Sequence, residues 1–244
     1  MNTKNDLEGK IILVTGASRG IGYATAKEAA QRGAHIIAVS RTVGGLEELD
    51  DDIKATGSQT TIVPLDLNDG EGVDRMGKAI FDRWGKLDGL IINAAMLGPI
   101  SPVSHIGPKD FSKVMETNVT SAFRLIRSLD VLLKASDAGR VAFVSSSSAE
   151  SAKPYWGLYA ASKAALNALA KSYAGELANT KVKVNVFYPG AVRTGMRAKA
   201  VPGEDPSTLM TPADVAPKLV DLVSPDFTRS GQIFDIRTGE FKGI

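Results

Sequence analysis

The sequence predicts an α/β fold, a doubly wound parallel sheet of about seven strands with helices on both faces. Three observations predict it. Short Ile- and Val-rich runs recur along the 244 residues, longer amphipathic segments separate most of them, and a glycine-rich turn follows the first run directly. Apolar runs of strand length suit strands buried on both faces, as parallel strands are. Parallel neighbours need right-handed crossovers, which place helices on both sides of the sheet. The composition, 43% hydrophobic and 23% charged, supports a sizeable core in a single domain over residues 1–244.

The first strand, 10–15, runs into Thr15-Gly16-Ala17-Ser18-Arg19-Gly20-Ile21-Gly22, which opens the first helix, 20–32. Gly16 permits a tight turn, Gly20 lets a pyrophosphate approach the backbone, and Gly22 allows close packing of helix on strand. Free N–H groups at the helix start attract anionic oxygen. In this strand-turn-helix setting the segment predicts the dinucleotide cradle of a Rossmann fold, with Gly16, Ser18, Arg19, Gly20 and Ile21 as cofactor-binding candidates.

The second strand, 34–40, leads into Ser40-Arg41-Thr42. An NAD-selective site places a carboxylate here for the ribose 2′-hydroxyl, and this chain has none. Arg19 and Arg41 together suit a 2′-phosphate, which takes charge-assisted, often bidentate bonds from guanidinium. NADP(H) is therefore the expected cofactor.

The remaining strands are expected at 60–65, 87–93, 140–145, 182–187 and 232–236, and further helices at 70–84, 108–134 and 158–178. Asn118 sits inside the 108–134 segment, where Asn is a mediocre helix former. The fifth strand ends in a run of serines, Ser145-Ser146-Ser147-Ser148, on the side of the sheet where open α/β folds bind ligands. Residues 188–211 are interrupted by Gly190, Gly195, Pro202, Gly203 and Pro206, which predicts a substrate lid; a loose surface excursion is the alternative.

Tyr159 and Lys163 lie four apart near the start of the 158–178 helix and so share a face. A phenol with a free pKa of about 10 needs help to exchange a proton near neutral pH, and a nearby ammonium is expected to lower its value. Alone the pair is weak evidence.

Taken in order, these segments resemble the short-chain dehydrogenases/reductases. Thr15 to Gly22 matches the TGxxxGxG signature of that family and Tyr159-Ala160-Ala161-Ser162-Lys163 its YxxxK element. Asp66-Leu67 matches an adenine-contacting pair, and Pro189-Gly190-Ala191-Val192-Arg193-Thr194 matches PGxxxT, with Val192 and Thr194 at the nicotinamide end. The fourth strand departs: Ile92-Asn93-Ala94-Ala95 stands where the family has Asn-Asn-Ala-Gly, leaving Asn93 and Ala94 at the cofactor-facing turn and the local backbone geometry open.

The resemblance implies a carbonyl–alcohol oxidoreductase using NADP(H), with Tyr159 as general acid/base, Lys163 supporting it and gripping the ribose, and Ser146 polarising the substrate oxygen. Spacing to Tyr159 selects Ser146 from the serine run, with a one-residue uncertainty of register. Asn118 matches the Asn that holds a relay water. Within the family the chain is similar to 3-oxoacyl-carrier-protein reductases and to related uncharacterised bacterial reductases, so an acyl thioester joins small ketones and aldehydes as a candidate substrate. Met96, Leu97, Pro99, Ile100, Trp156, Met196 and Met210 would line an apolar cleft, and Arg193, Arg197 and Lys199 could meet an acidic carrier. Relatives pair their long helices into homodimers or homotetramers, for which Ala160, Ala161, Ala164, Ala165 and Ala168 would allow close approach. A catalytically silent NADP(H) sensor on the same fold is the rival reading.

Other classes are disfavoured. Lys+Arg at 29 against Asp+Glu at 27 gives no sign of nucleic-acid or membrane-surface binding. The absence of Cys and the presence of two His make a metal centre improbable. The polar stretch 1–10 has no signal-peptide core, and no apolar run approaches the roughly 20 residues of a membrane span, so a cytoplasmic protein is expected.

Overall fold

The computed structural model describes residues 5–244, so residues 1–4 of the polar N-terminal stretch lie outside the described residues. Its strands are β1 (Ile11–Thr15), β2 (His35–Ser40), β3 (Thr60–Pro64), β4 (Gly89–Ile92), β5 (Arg140–Val144), β6 (Lys183–Tyr188), β7 (Gln232–Asp235) and β8 (Glu240–Gly243). The helices are α1 (Gly20–Gln31), α2 (Val43–Lys54), α3 (Gly70–Trp84), α4 (Pro108–Met115), α5 (Ser121–Ala135), α6 (Ser148–Ser151), α7 (Gly157–Glu176), α8 (Gly195–Ala200) and α9 (Pro212–Asp221).

The strands form one sheet in the order β3-β2-β1-β4-β5-β6-β7-β8. All neighbours from β3 to β7 pair in parallel, with Thr15 opposite Val39 and Val14 opposite Ile91. Because successive strand residues face opposite sides, β1 divides its side chains between two cores. Leu13 packs with Val73 of α3, Leu129 of α5 and Leu166 of α7. Ile12 and Val14 pack with Ala29 of α1, Leu49 of α2 and Leu219 of α9. Strand order reverses between β1 and β4, and a crevice at such a switch point is where these sheets bind ligands.

Three expectations need correction. An eighth strand is present: β8 turns back antiparallel on β7 through Gly239, whose φ is +71°. Its residues are mostly exposed and polar, so the apolar signal that marks the buried strands is missing. The 108–134 segment is two helices joined by a π-helical turn at Glu116–Thr120. The 188–211 stretch is partly ordered: Thr194 caps α8 by accepting from the Arg197 amide at 3.2 Å, and a 3-10 turn follows at Pro206–Thr208.

Among the described residues no helix is long and apolar enough to cross a membrane, and no cluster of His, Cys, Asp or Glu could hold a metal ion.

Candidate active site

The glycine turn is shaped by what stands beneath it. A side chain on Gly22 would meet the Gly16 carbonyl oxygen at 2.3 Å and Asn93 Nδ2 at 2.6 Å, so no Cβ fits there. Gly16 and Gly20 have φ of +67° and +59°, in the left-handed region that glycine enters without strain. Above Gly20 there is room, the nearest atom to a Cβ being Thr194 Cγ2 at 3.5 Å. The start of α1 has no side-chain cap and no acidic residue in its first turn, so its amides face the crevice free for an anion. These features fit a dinucleotide pyrophosphate.

Asn93 serves this turn from below. Its side chain donates to the Thr15 carbonyl at 2.9 Å, while the buried Thr15 hydroxyl accepts from the amides of Asn93 at 2.9 Å and Ala94 at 3.1 Å. The end of β4 is thus tied to the end of β1. Ile92, where the family pattern has Asn, is buried in the core, and Ala95, where it has Gly, lies outside the left-handed region. The departure from the family pattern therefore leaves an unstrained backbone.

At the end of β2 the Ser40 hydroxyl bonds the Ser18 hydroxyl at 2.8 Å, joining strand and glycine turn. Arg19 and Arg41 are both exposed beside this junction. Arg41 lies 3.7 Å from the Asp66 carboxylate, and Leu67 is buried in the core. On the other side of the crevice Gly190, with φ +70°, makes the turn after β6, Val192 is buried, and the Arg193 amide donates to the Met210 carbonyl at 2.8 Å. Arg197 is gripped by both oxygens of Glu204 at 2.5 and 2.6 Å, which removes it from the expected set of free cations.

Asn118, Ser146, Tyr159 and Lys163 converge. Tyr159 and Lys163 are only 9% and 3% exposed, on the face of α7 turned toward the end of β5. The Lys163 ammonium donates to the Val144 carbonyl at 2.8 Å and lies 5.7 Å from the centre of the Tyr159 ring. Burial pulls Lys163 down to about 8. Burial also pushes the Tyr159 phenol up to about 12, against a smaller lowering by the Ser146 hydroxyl beside it. This reverses the expectation that Lys163 lowers the phenol: the ammonium spends its bond on Val144, and desolvation dominates.

The same contacts distinguish the serines of the run. Ser146 is the serine that approaches the phenol, and it also accepts from the Ser148 amide at 3.1 Å. Ser145 is buried, with its amide donating to the Phe187 carbonyl.

Asn118 is fully engaged rather than solvated. Its oxygen accepts from the Met96 amide at 2.8 Å, and its nitrogen donates to the Met96 carbonyl at 2.9 Å and to Ser162 Oγ at 3.0 Å. Ser162 in turn donates to the Tyr159 carbonyl at 2.8 Å. A π-helical turn displaces the ordinary backbone ladder, and such turns are frequent at functional sites. Ser162 is absent from the sequence candidates; a serine on an alanine-rich helix, one turn from Tyr159, is its only signal.

The pattern of the short chain dehydrogenase family matches residues 10–205. The chain belongs to the short chain dehydrogenases. It is therefore an oxidoreductase of the class that uses a nicotinamide cofactor. It is 39% identical over 242 residues to the uncharacterized oxidoreductase YciK of Escherichia coli K12, covering 98% of this chain and 96% of that one. It is 32% identical to the 3-oxoacyl-[acyl-carrier-protein] reductase FabG of Vibrio cholerae, covering 91% and 92%. A short chain dehydrogenase of Shigella flexneri, crystallised with NADP, superposes with a TM-score of 0.91 at 38% identity, covering 96% of this chain and 99% of that one.

In this short chain dehydrogenase a groove of about 450 Å³ lies between α4 and the start of α7, lined by Val103, Phe111, Leu158 and Ala161 among others. None of the cleft residues expected from the sequence contributes to it. Ala160 is buried within the chain, whereas Ala161, Ala164 and Ala168 are exposed along α7.

Proposed function

We propose that this short chain dehydrogenase is an NADPH-dependent carbonyl reductase in which Tyr159 protonates the substrate oxygen. The observation that carries the reading is the convergence of Ser146, Tyr159 and Lys163 in one buried locus at the ends of β5 and α7. Arg19 and Arg41, with no carboxylate at the end of β2, support the 2′-phosphorylated cofactor, as does the NADP complex of the Shigella relative. NADPH supplies the hydride that adds to the carbonyl carbon.

The residues supply the rest. A phenol held at about 12 is fully protonated at neutral pH and acts as a donor. Ser146 shares the substrate oxygen and stabilises charge developing on it. Lys163, near 8, gains and loses a proton close to working pH and so refills the phenol. Asn118 and Ser162 fix the start of α7, and with it the height of Tyr159. Pro189, Gly190, Val192 and Thr194 orient the nicotinamide end, and residues 188–211 close over the substrate as a lid.

Substrate and assembly follow from the surface. Half-buried Met96, Leu97 and Met196 favour a hydrophobic carbonyl compound, and likeness to FabG keeps acyl thioesters among the candidates. Phe111, Phe123 and Val131 are exposed on α4 and α5, as Ala161, Ala164 and Ala168 are on α7, and a second copy covering these helices gives a homodimer or homotetramer.

The test is NADPH oxidation over carbonyl substrates of graded size, with Tyr159→Phe as control. The variant keeps the ring's packing and loses the proton. Full activity in Tyr159→Phe overturns the reading, and NADPH binding without turnover of any carbonyl favours a sensor.

A further inference from the structure

Two residues of the described chain other than glycine have backbone in the left-handed region, Ala152 at φ +39° and Tyr155 at φ +71°. Both lie in the short connection between α6 and α7, immediately before Tyr159. Such residues are strained, and strain persists where surrounding structure enforces it, commonly at functional sites. Here the enforcing contacts are visible. The Ser101 amide donates to the Tyr155 carbonyl at 3.0 Å, and the Trp156 amide donates to the Lys153 carbonyl at 3.1 Å. Gly157 itself passes so close to the Val103 turn that a Cβ on it would stand 2.7 Å from Val103 Cγ2.

What the strained turn delivers is Trp156. It occupies the cap position of α7, and its carbonyl accepts from the Ala160 amide at 2.9 Å. Its ring and the Tyr159 ring meet as a corner, with centres 6.1 Å apart and planes at 68°. The indole is half-buried, so part of it remains open beside the phenol.

We infer that Trp156 is a specificity-determining residue, the wall of the carbonyl subsite, selecting carbonyl groups attached to a flat aromatic ring over those on a straight alkyl chain. This rests on the reading that Tyr159 protonates the carbonyl oxygen. An oxygen held at the phenol places one substituent of the carbonyl against the indole. A planar substituent gains ring-to-ring contact there in addition to buried area, whereas an alkyl chain gains area alone. The strained turn holds that wall at fixed distance from the proton donor.

The experiment compares kcat/KM for acetophenone and 2-octanone in the parent, Trp156→Phe, Trp156→Ala and Tyr155→Gly, with Tyr159→Phe alongside. The parent prefers acetophenone, Trp156→Ala lowers the preference by about two- to tenfold, and Trp156→Phe restores most of it. Tyr155→Gly relieves the backbone, so its melting temperature stays at or above the parent's while its preference falls. A second readout is independent of turnover. The chain has two tryptophans, so in a Trp84→Phe background acetophenone quenches the emission of Trp156 saturably and 2-octanone does not.

A parent without the preference, or a preference unchanged in both Trp156→Ala and Tyr155→Gly, overturns the inference while an inactive Tyr159→Phe leaves the proton-donor reading standing. An active Tyr159→Phe removes that reading first.

Discussion

Asn118 and Ser162, 44 positions apart in sequence and both buried, share a side-chain hydrogen bond of 3.0 Å that joins the π-helical turn to α7. Through Ser162 the bond continues to the Tyr159 carbonyl, and through Asn118 to both polar groups of the Met96 backbone. Loop, turn and helix are thereby fixed to one another at the residue proposed to donate the proton.

Asn118→Ala leaves the half-buried Met96 amide and carbonyl without these partners. A loss of about 1–3 kcal/mol of stability is expected, together with a fall in kcat. Ser162→Ala removes one link and should cost about 1 kcal/mol. Thermal denaturation with steady-state kinetics checks both; an Asn118→Ala protein as stable as the parent would show that the network carries no mechanical role.

Carbonyl reduction should fall as pH rises through about 8, where Lys163 loses its proton, and not near 12, where the phenol would ionise. Lys163→Arg keeps a positive charge across that range, so any residual activity in it should lack the limb near 8. The pH profile of kcat/KM for parent and variant decides the matter.

The same burial makes Lys163 a cost to the cofactor-free fold. Its folded value, about 8, lies below the ordinary 10.5, so the unfolded chain binds more protons between those values and stability rises with pH across that window. Below about 8 the full cost of the buried charge is present; above 10.5 it has vanished. Lys163→Met should therefore be more stable than the parent at pH 7, by up to about 3 kcal/mol less the lost bond to Val144, and melt higher. The gap should close as pH approaches 10.5. Equal melting temperatures at pH 7 would count against a buried charged lysine.

Cofactor choice should reside in the two guanidinium groups. Arg41→Ala is expected to weaken NADPH binding by roughly tenfold or more and to leave NADH binding nearly unchanged, and the Arg19→Ala, Arg41→Ala pair to abolish the preference. Calorimetric titration of both cofactors measures this. Parallel losses for NADPH and NADH would place the arginines away from the 2′-phosphate.

Buried strands and the glycine turn were legible because each leaves a local mark: β1 to β7 are short apolar runs, and Gly16 and Gly22 sit where backbone sterics forbid anything larger. The missed features depend on contacts distant in sequence. The chain of Met96, Asn118 and Ser162 has no periodicity, β8 is a mostly polar edge held from one side, and the rise of the Tyr159 phenol comes from burial that only packing reveals. The π-helical turn stays in phase with its neighbours' apolar faces, so 108–134 reads as one helix although its backbone ladder changes midway.

Gly20 and Thr194 stand across the crevice from each other, with 3.5 Å between Thr194 Cγ2 and the place where a Cβ on Gly20 would be. Thr194 also begins α8, the first helix of the 188–211 segment. A molecule seated on the glycine turn would therefore touch the residue from which α8 starts, so cradle and lid segment share one boundary.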